Sequence, residues 1–250
     1  MPTALVTGAS SGIGLAFARK LAATGHDLVV VARSEDKLKE LAAELRVDVE
    51  VLPADLTDPD QLARVEARCA AGVDLLVNNA GAGTKGEFAS TPLDVLDREV
   101  ALDVVALMRL THAAMPGMVE RGSGGVLNVA SIAAFQPGPL NAVYSASKAF
   151  VLSFSEAIHE ELRAKGVKVT VVCPGATRTE FQDRGGFTAG KIPDFMWETP
   201  EEVADKALKA LDRNQAVLVS GVLNKASVVS SRLAPRAVAR KLSGVVSSRI

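Results

Sequence analysis

Seven short runs of apolar, largely β-branched residues punctuate the chain: TALVT (3–7), DLVVVA (27–32), VEVLP (49–53), DLLVN (74–78), GVLNVA (125–130), VKVTVV (167–172) and AVLVS (216–220). Each is nearly continuous in apolar character rather than alternating, the pattern of a strand covered on both faces in a parallel sheet. The longer stretches between them carry helical spacing and helix-start chemistry. Ile13, Phe17 and Leu21 recur at i, i+4 and i+8, Ser34 precedes EDKLKELAAEL, and Asp58 precedes Pro59. TPEE (199–202) offers a cap, a first-turn proline and a reciprocal glutamate, Glu202. Gly166, in KGV, ends the long helical stretch that carries Tyr144. Strand and helix in alternation predict an α/β fold: a Rossmann-like, doubly wound three-layer α/β/α arrangement with a seven-stranded parallel sheet.

A closed barrel shares that alternation, and VTGASSGIGLAFARKLAATG (6–25) argues against it. Gly8, Gly12 and Gly14 fall between the first strand and the first helix. A turn with so little side-chain bulk lets backbone N–H groups approach a diphosphate at the positive end of the helix. Ser10, Ser11 and Ile13 belong to the same turn. The second strand ends in VVVARS, with Ala32 where an acid would bind a ribose 2′-hydroxyl and then Arg33, a cation suited to a 2′-phosphate. The pattern favours NADP(H), with NAD(H) as the alternative.

Composition narrows the classes. A chain of 250 residues with 48% hydrophobic and 23% charged residues suits one large domain, placed at 1–221. The net charge of −1 gives no argument for a nucleic-acid partner. Cys69 and Cys173 are far apart and read as free packing thiols, while His26, His112 and His159 match no metal spacing, so no metal site is expected. No signal sequence or membrane-spanning run is recognised, and the expected location is cytoplasmic.

Further landmarks follow in order: NNAG (78–81) after the fourth strand, Ser131 after the fifth, YSASK (144–148) thirteen residues later, and PGATRT (174–179) after the sixth. With TGxxxGxG at the first turn, this set resembles the short-chain dehydrogenase/reductase family over roughly residues 3–220. The resemblance implies a small-molecule carbonyl or alcohol substrate, and a homodimer or homotetramer. It also implies cofactor contacts at Asp55 and Leu56 beside the adenine, at Asn79, Ala80 and Gly81, at Tyr144 and Lys148, and at Pro174, Gly175, Thr177 and Thr179 toward the carboxamide.

Tyr144 is the only tyrosine. An ordinary phenol ionises near ~10 and is a poor base at neutral pH, but a cation stabilises its phenolate. Lys148, four residues on, shares its helical face, so Lys148 is expected to lower the Tyr144 pKa. The family's roles then place Tyr144 as general acid, Ser131 as donor to the carbonyl oxygen, and Lys148 on the ribose as well. Asp103 stands where the family has a relay asparagine. It either leaves that relay intact or pins Lys148 as a cation. The expected reaction is NADP(H)-dependent reduction of a ketone or aldehyde, with an NAD-dependent dehydrogenase or a non-catalytic dinucleotide sensor or scaffold as alternatives.

Residues 180–198 combine Phe181, Phe187, Phe195, Met196 and Trp197 with Gly185–Gly186, and suggest an aromatic lid over an apolar or acyl-like substrate. FQPGPL (135–140) suggests a second pocket wall. Beyond 221, the tail 222–250 is basic and amphipathic, with Val238, Leu242, Val245 and Val246 opposite Arg236 and Arg240. Such a helix can lie on an anionic membrane, although docking on its own or a partner subunit is favoured.

Overall fold

The computed structural model describes residues 1–181 and 193–221, together with Asn224, Val228 and Arg240. Seven strands form one parallel sheet: Thr3–Thr7 (β1), Asp27–Ala32 (β2), Val49–Pro53 (β3), Leu75–Asn78 (β4), Gly124–Val129 (β5), Val167–Cys173 (β6) and Val217–Val219 (β7). Their order is β3-β2-β1-β4-β5-β6-β7. The reversal between β1 and β4 leaves a crevice at the carboxyl ends of the strands, where ligands of such sheets bind. Strand limits follow the apolar runs to within a residue or two. Asp74, expected in the fourth strand, instead precedes it and ties the amino ends of β1 and β4: its carboxylate accepts the Thr3 N–H at 2.7 Å.

The helices are Gly12–Ala23 (α1), Glu35–Glu44 (α2), Pro59–Ala70 (α3), Leu93–Val100 (α4), Leu107–Arg121 (α5), Ala142–Leu162 (α6) and Pro200–Asp212 (α7). Alternate residues of each strand feed two cores. Ala4 and Val6 pack with Phe17 and Leu21 of α1, Leu38 of α2 and Val203 of α7. Leu5 points the other way, toward Val65 of α3, Leu110 and Met118 of α5, and Leu162 of α6. This two-faced burial explains why the strands lack polar alternation.

Two polar devices hold the site-bearing elements. Asn78 at the end of β4 donates to Thr111 of α5 and to Asn128 of β5, each at 2.9 Å, and Asn128 donates to Ser155 of α6 at 2.9 Å. The chain thus ties α5 and α6 to the sheet through buried amides, whose partners offset their desolvation. At the other end, Glu198 is paired with Thr177 in a parallel bridge, and its Oε1 accepts Lys206 Nζ and Ser220 Oγ, each at 2.6 Å.

Helix α7 starts with a complete capping box, the Thr199 hydroxyl accepting the Glu202 N–H while Glu202 accepts the Thr199 N–H. Replacing Thr199 by Ala is expected to lower the unfolding free energy by about 1 kcal/mol, read from urea titrations. A change within ~0.2 kcal/mol would show that other donors or water replace the cap.

Candidate active site

The turn after β1 has the close contact that its glycines imply. A Cβ on Gly14 would lie 2.2 Å from the Gly8 carbonyl oxygen, so only glycine lets α1 start against the turn. Thr7 joins this turn to the next strand: its hydroxyl accepts the N–H groups of Asn79 and Ala80 at 3.0 Å each, and the Asn79 amide donates to the Thr7 carbonyl at 2.9 Å. Both sides of the crevice are therefore one hydrogen-bonded unit.

A cleft with a volume of about 1450 Å³ opens above it. Gly8, Ser10, Ser11, Gly12 and Ile13 line its floor, and Asn79, Ala80 and Gly81 line one side. Pro174, Gly175, Thr177 and Thr179 line the opposite side, with Ser131, Tyr144 and Lys148 at the far end. Arg33, Asp55 and Leu56 lie at the near end. Of the expected site residues, only Gly14 and Asp103 stand behind the lining. The cradle and its volume suit an extended dinucleotide with room for a further small molecule.

The near end carries exposed cations: Arg33 and Lys37 face the cleft, Lys37 lies 3.9 Å from Glu180, and Arg98 of α4 reaches Asp55 at 3.3 Å. Burial opposes charge on Asp55, but the Thr57 N–H and hydroxyl, with Arg98 and Arg33, outweigh it and hold the carboxyl below its usual value. Lys37 and Arg98 escaped the sequence reading. Lys37 lies in the first turn of α2, just after the second strand, and lines the cleft with Arg33.

At the far end Lys148 is 5% exposed, and its Nζ lies 3.0 Å from Asp103 Oδ2 and 3.4 Å from the Val129 carbonyl oxygen. The other Asp103 oxygen accepts the Ala82 N–H at 2.8 Å. Asp103 lies in a π-helical stretch, Ala101–Ala106, that joins α4 to α5. Such wide turns occur where a side chain must be re-aimed at a site. Gly81 lies directly against the pair: a Cβ there would stand 3.1 Å from Lys148 Nζ and 3.2 Å from Asp103 Oδ1.

Burial opposes the charge on Lys148, but Asp103 and then Tyr144 outweigh it and hold the ammonium above its usual value. At Tyr144 the Lys148 ammonium pulls the phenol pKa down, as expected from the sequence, but burial outweighs it. The pKa is raised overall, because burial of the phenol exceeds the pull of Lys148 and of the hydrogen bond with Ser131 together. The Lys148 ammonium is 5.6 Å from the centre of the Tyr144 ring, and Phe181 packs on that ring at 5.8 Å.

The apolar walls are partly as expected. Pro139, Leu140, Phe181, Met196 and Trp197 line the cleft, whereas Phe195 is 76% exposed. Phe187 and the Gly185–Gly186 pair lie outside the described residues. So does most of 222–250. Asn224 of that segment is buried, donates to the Ser220 carbonyl at 2.7 Å and lines the cleft. His159 is buried with Nδ1 2.7 Å from the Val169 carbonyl oxygen, a packing contact.

The sequence profile of the short chain dehydrogenase family matches residues 2–186. The chain belongs to that family. Among its relatives, the very-long-chain 3-oxoacyl-CoA reductase of Bos taurus is 34% identical over 221 residues, which cover 83% of this chain and 68% of that protein. A short-chain dehydrogenase from Sphingobium yanoikuyae, solved in complex with NADPH, is 39% identical with a TM-score of 0.85, covering 93% of each chain. The bulky-bulky ketone specific alcohol dehydrogenase of Comamonas testosteroni is 34% identical with a TM-score of 0.79, covering 93% of this chain and 92% of that one. This short-chain dehydrogenase is accordingly an oxidoreductase built around a nicotinamide dinucleotide site.

Because the chain has one tyrosine, phenolate absorbance reports on Tyr144 alone. Lys148→Met is expected to move that absorbance midpoint upward by roughly 1 pH unit, since it removes the cation that favours the phenolate. An unchanged midpoint would mean that Lys148 does not act on Tyr144.

Proposed function

We propose that the protein is an NADP(H)-dependent reductase converting a ketone or aldehyde to an alcohol. The reading is carried by the convergence of Ser131, Tyr144 and Lys148 at one end of a cleft whose other end presents Arg33. The glycine turn would hold the diphosphate, Arg33 with Lys37 the 2′-phosphate, and the Pro174–Thr179 segment the carboxamide. When bound, the nicotinamide supplies hydride to the carbonyl carbon.

The chain supplies the rest. Ser131 donates a hydrogen bond to the carbonyl oxygen, stabilising the charge that develops there. Tyr144 gives its proton to the same oxygen, and Lys148 balances the phenolate that remains. Asp103 fixes Lys148 as a cation and aims it, so it is a positioning residue. The Phe181, Met196, Trp197 and Leu140 walls favour a bulky apolar carbonyl, in line with the substrates named for the bovine and Comamonas relatives. Val100, Val105, Met108 and Phe150 leave apolar surface on α4, α5, α6 and the helical stretch between α4 and α5, which suits self-association into a homo-oligomer.

Tyr144→Phe is expected to lower kcat for carbonyl reduction by about 10²-fold or more, followed as NADPH oxidation over a panel of bulky ketones. Arg33→Asp is expected to weaken NADPH binding and spare NADH, measured as the ratio of the two dissociation constants. Consumption of neither cofactor with any carbonyl would overturn the assignment. If Asp103 pins Lys148, the pH–rate profile of Asp103→Asn departs from wild type; superimposable profiles would make it a passive substitute for asparagine.

A further inference from the structure

One buried titratable group is left unused by this mechanism. Glu99 is the last acidic residue of α4, one helical turn before Asp103, and is 1% exposed. It borders the cleft on the side of Gly81 and Thr84. Among the described residues neither of its carboxylate oxygens has a hydrogen-bond partner of good geometry, and the Thr84 hydroxyl and N–H offer only partial stabilisation. A carboxylate in that position recovers only part of its lost hydration from Thr84. The charged and titratable groups that face it are Asp103 on the next turn, and Lys148 and Tyr144 from α6. Its neighbours Asp97 and Arg98 are exposed, and Arg98 is turned to Asp55.

We propose that Glu99 is a positioning residue that sets the net charge opposite Lys148, and through it how readily Tyr144 releases its proton. The proposal rests on the reading of Tyr144 as the acid of the reaction. With Glu99 protonated, the buried group holds one carboxylate and one ammonium and is neutral. With Glu99 ionised, two carboxylates face one ammonium, and the extra negative charge opposes a phenolate at Tyr144. A tighter-held proton makes Tyr144 a weaker acid toward the alkoxide. Two carboxylates sharing a site with one cation cannot both ionise at their ordinary values. Burial, with Asp103 adding to it, holds the Glu99 carboxyl above its usual range against Thr84 and Lys148.

The lone tyrosine provides a direct test on the full-length protein. Phenolate absorbance would be titrated in wild type, Glu99→Gln and Glu99→Met, with Tyr144→Phe as the blank. Both Glu99 variants are expected to lower the Tyr144 midpoint by on the order of 1 pH unit. In carbonyl reduction, the wild-type fall in kcat as Glu99 ionises is expected to vanish in Glu99→Gln.

Stability supplies a second reading. A carboxyl raised in the folded state stabilises fully below its unfolded value, and that contribution is lost as pH rises through the folded one. The melting temperature of Glu99→Gln should therefore gain on wild type between about pH 5 and about pH 9. A residue with only a packing role would shift the melting temperature equally at both pH values and leave the midpoint in place. That result, with carbonyl reduction intact, overturns the inference. Absence of carbonyl reduction in wild type would overturn the functional reading instead, and the absorbance midpoints would still decide whether Glu99 and Tyr144 are coupled.

Discussion

An ammonium group taken out of water must be met by a carboxylate or lose its charge, and in this protein that requirement falls on Lys148. Its answer is Asp103 at 3.0 Å. Several otherwise unrelated features follow from that pair. Gly81 lacks a side chain because the pair lies against it. The Ala82 N–H turns toward Asp103 and fixes the loop after β4. The amides of Asn78 and Asn128 anchor to the sheet the two helical segments that bring Asp103 and Lys148 together. One buried charge thus organises strand ends, a loop and two helices.

The cleft separates two kinds of chemistry. Its near end carries the exposed cations Arg33, Lys37 and Arg98, fitted to hold an anion by charge and hydrogen bonds that water partly screens. Its far end buries Asp103, Tyr144 and Lys148, and there charges act much more strongly on one another. That contrast accounts for the opposite behaviour of two acids. Asp55, partly exposed and hydrogen-bonded, is held below its usual value, while Glu99, buried and poorly partnered, is held above it.

The sheet was legible because burial on both faces leaves a strand little choice but a continuous apolar run. TALVT and DLVVVA coincide with β1 and β2 to the residue. The cap at Thr199 and the turn at Gly8 to Gly14 were legible for a similar reason, since each position admits few residue types. Glu99 was not. In LDVLDREV its neighbours Asp97 and Arg98 read as a solvated face, and only the spacing from Leu96 to Glu99 to Asp103 marks the buried side. The direction of the Tyr144 pKa was also out of reach. Lys148 at i+4 is a local fact, but the depth at which α6 buries the phenol depends on the packing of distant strands.

The π-helical stretch at Ala101–Ala106 shares its axis with α4 and α5 but not their phase. An α-helix advances its side chains by 100° per residue, so its buried stripe is set once for its whole length. The wide turn spends roughly one extra residue and resets that stripe partway along. Upstream, the inward face delivers Leu96 and Glu99 beside the reaction site; downstream, it delivers Leu110, Ala114 and Met118 to the core under the sheet. The two ends of this helical run therefore do different work. The downstream half is bound by close packing, while the upstream half is left with a side free for chemistry to rewrite.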